Sequence, residues 1–168
     1  DLTGRIAEPG DPAQIWVRGA NLFSGYWPNG VEGPGEDGWW ATGDVGLQDE
    51  QGNLRLVDRI RATINISGFT VYPSELEEAL ADAPGVESIA VIGIPDERTG
   101  EAAVAFVVAD DPQADSEALA EAIRELAVTR LARFKVPSRI LVVAALPHSP
   151  TGKVAKGRLR ALARTSLT

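Results

Sequence analysis

The chain has 168 residues, of which 44% are hydrophobic, and carries 24 acidic against 16 basic side chains for a formal charge of −8. The apolar content suffices for a packed core, and the acidity argues against a nucleic-acid-binding surface. Cysteine is absent and His148 is the single histidine, which excludes disulfides, a thiol nucleophile and thiolate metal sites and argues against a histidine-based one.

Residues 1–38 are rich in Gly and Pro. Within them, Ala13–Arg18 alternates apolar and polar side chains and reads as a strand. A bent segment follows over 19–27 with Phe23, Tyr26 and Trp27, and then a loop over 28–38. The loop glycines Gly30, Gly33 and Gly35 are spaced G-x-x-G-x-G with no preceding βα unit, so they are not a dinucleotide fingerprint. Trp39-Trp40 leads into a strand over 43–48, the stretch 49–53 is a turn, and Leu54–Asp58 returns. This hairpin does not bury itself; a larger barrel or sheet must supply its partner.

After Arg59 the pattern changes. Short β-like pieces at 63–66 and 69–71 flank Ser67-Gly68. Pro73 suits the first turn of a helix running to about Ala81. Ser74 and Glu77 have capping-box spacing, and Glu75, Glu77 and Glu78 suit a helix start as surface charge. The apolar runs 86–94 and 102–109 predict buried strands separated by a polar turn over 95–101. Asp115 or Ser116 caps the next helix, whose apolar face is Leu119, Ala122, Ile123 and Leu126. Arg130 and Arg133 load its C-terminal end, and Lys135-Val136-Pro137 breaks it. A third strand over 139–144, a Pro/Gly loop over 146–153 and a short basic helix over 155–163 complete a compact α+β domain. Its element order is β-α-β-β-α-β-α, and the boundary before it falls near Asp58–Arg61.

No run of about 18 apolar residues marks a membrane span, and no secretory pattern opens the chain. Methionine is absent, so the expectation is a processed or excised piece of a longer polypeptide.

Four places carry candidate chemistry. Asp44 follows Gly43, and a carboxylate can accept from two adjacent hydroxyls such as a ribose diol; it reads equally as a turn residue. Gly43 removes a side chain that would block close approach. Arg59 offers a fork of donors for ribose oxygens or phosphate, or a surface pair with Asp58. Ser67-Gly68-Phe69 is either a plain tight turn or a place where Gly lets backbone lie along a ligand, with Phe69 as core. Lys153 is either a solvated loop residue or a phosphate-directed cation. A phosphate-binding P-loop fails here, because Pro147 stands where the first Gly belongs and Val154 follows the Lys. His148 has no paired Ser or acid and is a loop residue. Lys156, Arg158, Arg160 and Arg164 form a basic end, either a solvated helix face or a surface for a ligand's phosphates.

Taken together, Thr42-Gly43-Asp44, Asp58-Arg59, Ser67-Gly68-Phe69 before Tyr72-Pro73, and the P-x-x-x-x-G-K loop from Pro147 to Lys153 resemble the adenylate-forming family of acyl-CoA synthetases. The likeness covers nearly the whole chain, and the Val71-Tyr72-Pro73 ending resembles acyl-CoA ligases more than the adenylation domains of peptide synthetases. The resemblance implies an α+β fold in which residues 1–58 end a β-barrel-like subdomain of a large adenylating domain and 59–168 form a small mobile domain. It implies that Asp44 and Arg59 hold the ribose of ATP, that Arg61 is the hinge, and that Ser67, Gly68 and Phe69 approach the pantetheine of CoA. Arg61 stands where Asp or Lys is common, and Ala62 where an acidic residue is. Lys153 would bridge the substrate carboxylate and the α-phosphate. The implied reaction consumes ATP with Mg²⁺, a small carboxylic acid and CoA in two steps, in the cytoplasm. No metal ligand is assigned to this chain. The phosphate loop and acyl pocket would lie in an N-terminal large domain, without which the chain is expected to be inactive. Two alternatives stand beside this: an enzyme that hands its acyl group to a carrier protein, and a non-catalytic interaction module using the basic helix and an exposed Trp pair.

Overall fold

In the computed structural model, which describes residues 6–166, Ala13–Val17 (β1), Trp40–Gln48 (β2) and Leu54–Arg59 (β3) form an antiparallel sheet in the order β1-β2-β3. Strand β2 starts three residues before the expected position, because Trp40 and Ala41 already pair with Val17 and Trp16. The turn between β2 and β3 is built by Asp49. Its carboxylate accepts the N–H groups of Gln51 and Asn53 at 3.0 and 2.8 Å and the Asn53 side-chain amide at 2.9 Å. That amide, more than the backbone donors, holds the Asp49 carboxyl below its ordinary range.

The chain divides into two compact units between Arg61 and Ala62, within a 3₁₀ turn over Ile60–Ala62. The second unit contains Ile64–Ile66 (β4), Phe69–Val71 (β5), Pro73–Leu80 (α1), Val86–Asp96 (β6), Gly100–Ala109 (β7), Ser116–Arg130 (α2), Arg139–Val142 (β8) and Lys156–Ser166 (α3). Its sheet runs β5-β4-β7-β6, with β8 added parallel to β7. Strand β6 spans β7 from Val86↔Ala109 to Asp96↔Gly100, so β4 and β8 share the other side of β7. This mixed architecture is the expected α+β class.

The side chains of β6 and β7 alternate between two cores. Val91, Ala103, Ala105 and Val107 pack with Leu76 and Leu80 of α1 and Leu119, Ile123 and Ala127 of α2. Ala90, Ile92, Val104 and Phe106 pack with Leu146 and with Leu159 and Ala163 of α3. The sheet is therefore covered on both faces, which explains why its strands read as unbroken apolar runs.

Several local expectations need correction. The polar turn between β6 and β7 is Glu97–Thr99 only. Pairing continues to Asp96↔Gly100, where Gly100 at φ +81° turns the chain. Thr99 donates its hydroxyl and N–H to the Asp96 carboxylate, and the hydroxyl bond is the main reason that carboxyl lies below its ordinary range. No capping box forms at α1. Tyr72 is the N-cap, Pro73 is N1 and Ser74 lies inside the helix, two residues too late to cap it. Helix α2 is capped by Asp115, which accepts from Glu117 and Ala118, and it ends at Arg130 rather than Lys135, because Leu131 is already extended. Its buried face uses Ala127 in place of Ala122. Arg130 ties the end of α2 to α1 by donating to the carbonyl of Ala79 and to Asp82. Strand β8 stops at Val142.

Glu75 and Glu77 are not idle surface charge. Glu75 accepts from Lys135 at 2.5 Å. Glu77 accepts the N–H of Val91 at 2.7 Å and pairs with Lys156 of α3 at 2.7 Å, with both charged side chains about three-quarters covered. Val91 lies on β6, the edge strand, so the carboxylate occupies a donor that an open edge would otherwise present. Glu77→Ala should therefore cost about 1–3 kcal/mol, the scale for stranding a covered donor and a charged partner. Glu78 is exposed one residue on, and Glu78→Ala should stay within about 0.5 kcal/mol. Urea denaturation of the two variants checks the contrast.

Candidate functional site

Asp44 and Arg59 sit directly opposite each other on β2 and β3. The Arg59 Nε lies 2.6 Å from Asp44 Oδ1, so the two residues expected to share one ligand meet each other. Asp58, the alternative partner for Arg59, instead accepts its backbone N–H at 2.7 Å. With the Arg59 side chain 68% exposed, this pair contributes little to stability. Its value is geometric: one carboxylate oxygen is held by the guanidinium and the other remains an acceptor.

Thr42 is a positioning residue that the sequence reading passed over. Its hydroxyl donates to the carbonyl of Ile15 at 3.0 Å and accepts the N–H of Asp44 at 3.0 Å. It thus fixes the start of the Asp44 peptide to β1. The available signal was a Thr two residues before an Asp, which is the spacing of a side-chain-to-backbone turn. Gly43 lies between them at φ +76°, and a Cβ there would meet nothing within 4 Å. The glycine is required by the left-handed backbone, not by crowding within the protein.

Thr42, Gly43 and Arg59 line a cleft of about 540 Å³ together with Gln14, Tyr26 and Trp40. Arg61 lines it too, from the 3₁₀ turn that follows β3. Phe23 steadies the aromatic wall, meeting Tyr26 and Trp40 edge-on at 4.9 and 5.2 Å. The volume lies in the range of small-molecule sites. Trp39 and Trp40 do not act as an exposed pair: Trp40 is in β2 and half-buried, while Trp39 carries the Arg18 guanidinium 4.8 Å above its ring.

The other candidates belong to the second unit. Ser67 and Gly68 are the two central residues of the β4–β5 hairpin, both in the left-handed region at φ +52° and +86°. Phe69 is not core. It is 56% exposed and stacks on Phe134 with ring centroids 4.6 Å apart. Lys153 is exposed on the loop between β8 and α3. That loop is pinned by a bridge between His148 and Val154 and by the Ser149 N–H on the Lys153 carbonyl at 2.8 Å. Lys135 and Lys156 have carboxylate partners, whereas the Lys153 ammonium has none among the described residues. His148 is exposed in the same loop. Of the basic end, Lys156 is held by Glu77 and Arg158 is exposed, and the Arg164 side chain lies outside the described residues.

Among the described residues, no group of three or more His, Cys, Asp or Glu side chains is placed to hold a metal ion. Among those residues, too, no helix is long and apolar enough to cross a membrane.

Residues 75–153 match the family model for the AMP-binding enzyme C-terminal domain, a match that ends on Lys153. The chain is 40% identical over 159 residues to the long-chain-fatty-acid–CoA ligase FadD13 of Mycobacterium tuberculosis, covering 94% of this chain and 31% of that protein. It is also 40% identical to feruloyl-CoA synthase of an Amycolatopsis species, covering 94% of this chain and 32% of that one. The crystal structure of ATP-bound MatB from Rhodopseudomonas palustris superimposes with a TM-score of 0.85 at 35% identity, over 95% of this chain and 32% of that structure. The chain therefore spans about a third of the length of the curated relatives it matches.

The geometry at Gly43 gives a direct test of why that residue is there. Gly43→Ala should destabilise the first unit by about 1–2 kcal/mol, the usual cost of a Cβ in left-handed backbone. Gly43→Asn should cost less, since Asn tolerates that region. Equilibrium urea unfolding of both variants separates strain from crowding, which would penalise the larger Asn more.

Proposed function

We propose that the chain belongs to the AMP-binding enzymes, whose C-terminal domain model matches residues 75–153, and that it serves an acyl-CoA synthetase, an ATP-dependent acid–thiol ligase. The observation that carries this reading is Lys153: an exposed ammonium without a carboxylate partner among the described residues, on a pinned Pro/Gly loop at the end of the matched stretch. A carboxylate oxygen of the acid attacks the α-phosphorus of ATP and pyrophosphate leaves. Negative charge builds on the phosphoryl oxygens as the new bond forms, and a positioned ammonium stabilises it. The CoA thiol then attacks the acyl carbon of the adenylate, and AMP leaves.

In this reading Asp44 accepts from the ribose hydroxyls with the oxygen that Arg59 leaves free, and Arg59 adds donors of its own. The cleft beside them supports that assignment. The phosphate loop, the acid pocket and any Mg²⁺ ligands belong to a larger N-terminal portion, and the chain alone is inactive. Relatives named for a long-chain fatty acid and for feruloyl-CoA match this stretch with equal identity. That equality supports the reading that the choice of acid lies outside it. Arg61, in the 3₁₀ turn between the two units, is the hinge about which the second unit turns between the half-reactions. Lys153 serves the first half-reaction and is carried away for the second.

In the complete enzyme, Lys153→Ala should slow acyl-adenylate formation by about 10²-fold or more, the scale for losing a partner of transition-state charge. Thioester formation from pre-made adenylate should survive, and Lys153→Arg should rescue poorly. Single-turnover kinetics of each half-reaction read the result; normal adenylation, or equal loss in both halves, removes Lys153 from this role.

The hinge has its own signature. Arg61→Pro fixes φ in the turn and should impair thioester formation more than adenylation. The same single-turnover measurements apply, and equal losses would reject the hinge.

A further inference from the structure

The hairpin between β4 and β5 has a two-residue turn closed by the pair Ile66↔Phe69. Both central residues have positive φ, which makes it the turn type that favours Asn-Gly or Asp-Gly. Here the first position is Ser67, at φ +52°. A Ser in left-handed backbone persists only where its surroundings hold it.

Two sets of hydrogen bonds hold it. The Asn65 side chain reaches forward, and its Oδ1 accepts the Gly68 N–H at 3.0 Å. The Ser67 N–H donates to the carbonyl of Thr99 at 2.8 Å, outside the hairpin. Each tether is itself anchored in the β6–β7 hairpin. The Asn65 N–H donates to Glu101 Oε2 at 2.7 Å. Thr99 is fixed by Asp96, whose Oδ1 accepts the Thr99 N–H at 2.9 Å and hydroxyl at 2.7 Å. Strand β4 meets β7 through the pair Ile66↔Gly100, so the turn would otherwise overhang the sheet. Asn65 and Gly68 are both exposed, and a Cβ on Gly68 would meet nothing within 4 Å. The turn therefore presents a bare peptide edge to open space.

We infer that Asn65 is a positioning residue for thioester formation: with Glu101 behind it, its carboxamide holds the Ser67-Gly68 turn in the left-handed form that the arm of CoA lies against. This rests on the reading that the turn contacts CoA. A carboxamide oxygen one residue before a Ser-Gly turn supplies from outside what an Asn in the turn would supply from within.

The test uses the complete enzyme and CoA as the probe. Asn65→Leu removes the acceptor at an exposed position, so the fold is kept. The KM for CoA should rise about tenfold, the scale of one lost hydrogen bond in a positioned site, with kcat at saturating CoA within about twofold. Asn65→Asp keeps an acceptor at Oδ1 and should restore the KM. Glu101→Ala, which frees the Asn65 backbone, should raise the KM in the same direction. Gly68→Ala adds a methyl to the bare edge and tests the underlying reading. If Gly68→Ala raises the KM while Asn65→Leu leaves it unchanged, the positioning role fails and the contact with CoA stands. If neither variant moves the KM, the contact itself is overturned.

Discussion

Strand β7 sends Ala103, Ala105 and Val107 into one core and Val104 and Phe106 into the other, and β6 beside it does the same with Val91 against Ala90 and Ile92. Each large apolar side chain among these gains about 1.5–3 kcal/mol from full burial, so neither face can be left to water. Helices α1 and α2 cover one face. The chain then runs out along β8 and must cross to the other face so that Leu159 and Ala163 of α3 can close it. The loop that carries Lys153 is that crossing, and Leu146 packs into the second core at its start. The loop that carries Lys153 thus exists because a two-faced sheet needs a second cover.

The same requirement explains how the helices are fastened. Helix α1 borders the edge strand β6, and α3 lies on the opposite face. Glu77 joins the three elements through the Val91 N–H and the Lys156 ammonium. A carboxylate three-quarters covered and holding two donors is worth more than the Arg59–Asp44 pair, whose guanidinium is largely solvated and screened. The better-covered pair therefore serves architecture in the second unit, while in the first unit a weaker pair stands beside a cleft.

Most of the element order was legible from pattern alone, because long apolar runs and Pro/Gly breaks are local signals. The chain from Ile64 to Ser166 carries the expected alternation of strands and helices. What failed were features set by tertiary partners. Glu77 looks like a capping residue in sequence, yet Pro73 had already fixed the helix start and the carboxylate turned to a strand. Phe69 looks like core, but its strand lies at the sheet end, where the ring stacks on Phe134 and stays largely exposed. The polar stretch 95–101 looks like a loop, but Asp96 and Gly100 pair because β6 and β7 are long enough to carry their ladder through it. Among the candidate residues, Asp44, Arg59 and Lys153 stood out through the resemblance that their motifs carry. Thr42 and Asn65 did not, since each works through backbone groups that only the fold brings near.

The loop around Lys153 is closed several times over. His148 bridges Val154, Ser149 and Gly152 exchange a turn with Lys153 and Ser149, and the Ala155 N–H reaches the Pro147 carbonyl at 2.7 Å. Fixing a residue's backbone costs about 1–2 kcal/mol of conformational entropy. For these residues that cost falls at the moment of folding, together with the docking of α3. Only the rotatable stem of the exposed lysine keeps its freedom in the folded chain. The lysine thus sweeps from a preset origin, its reach confined to that of a single side chain.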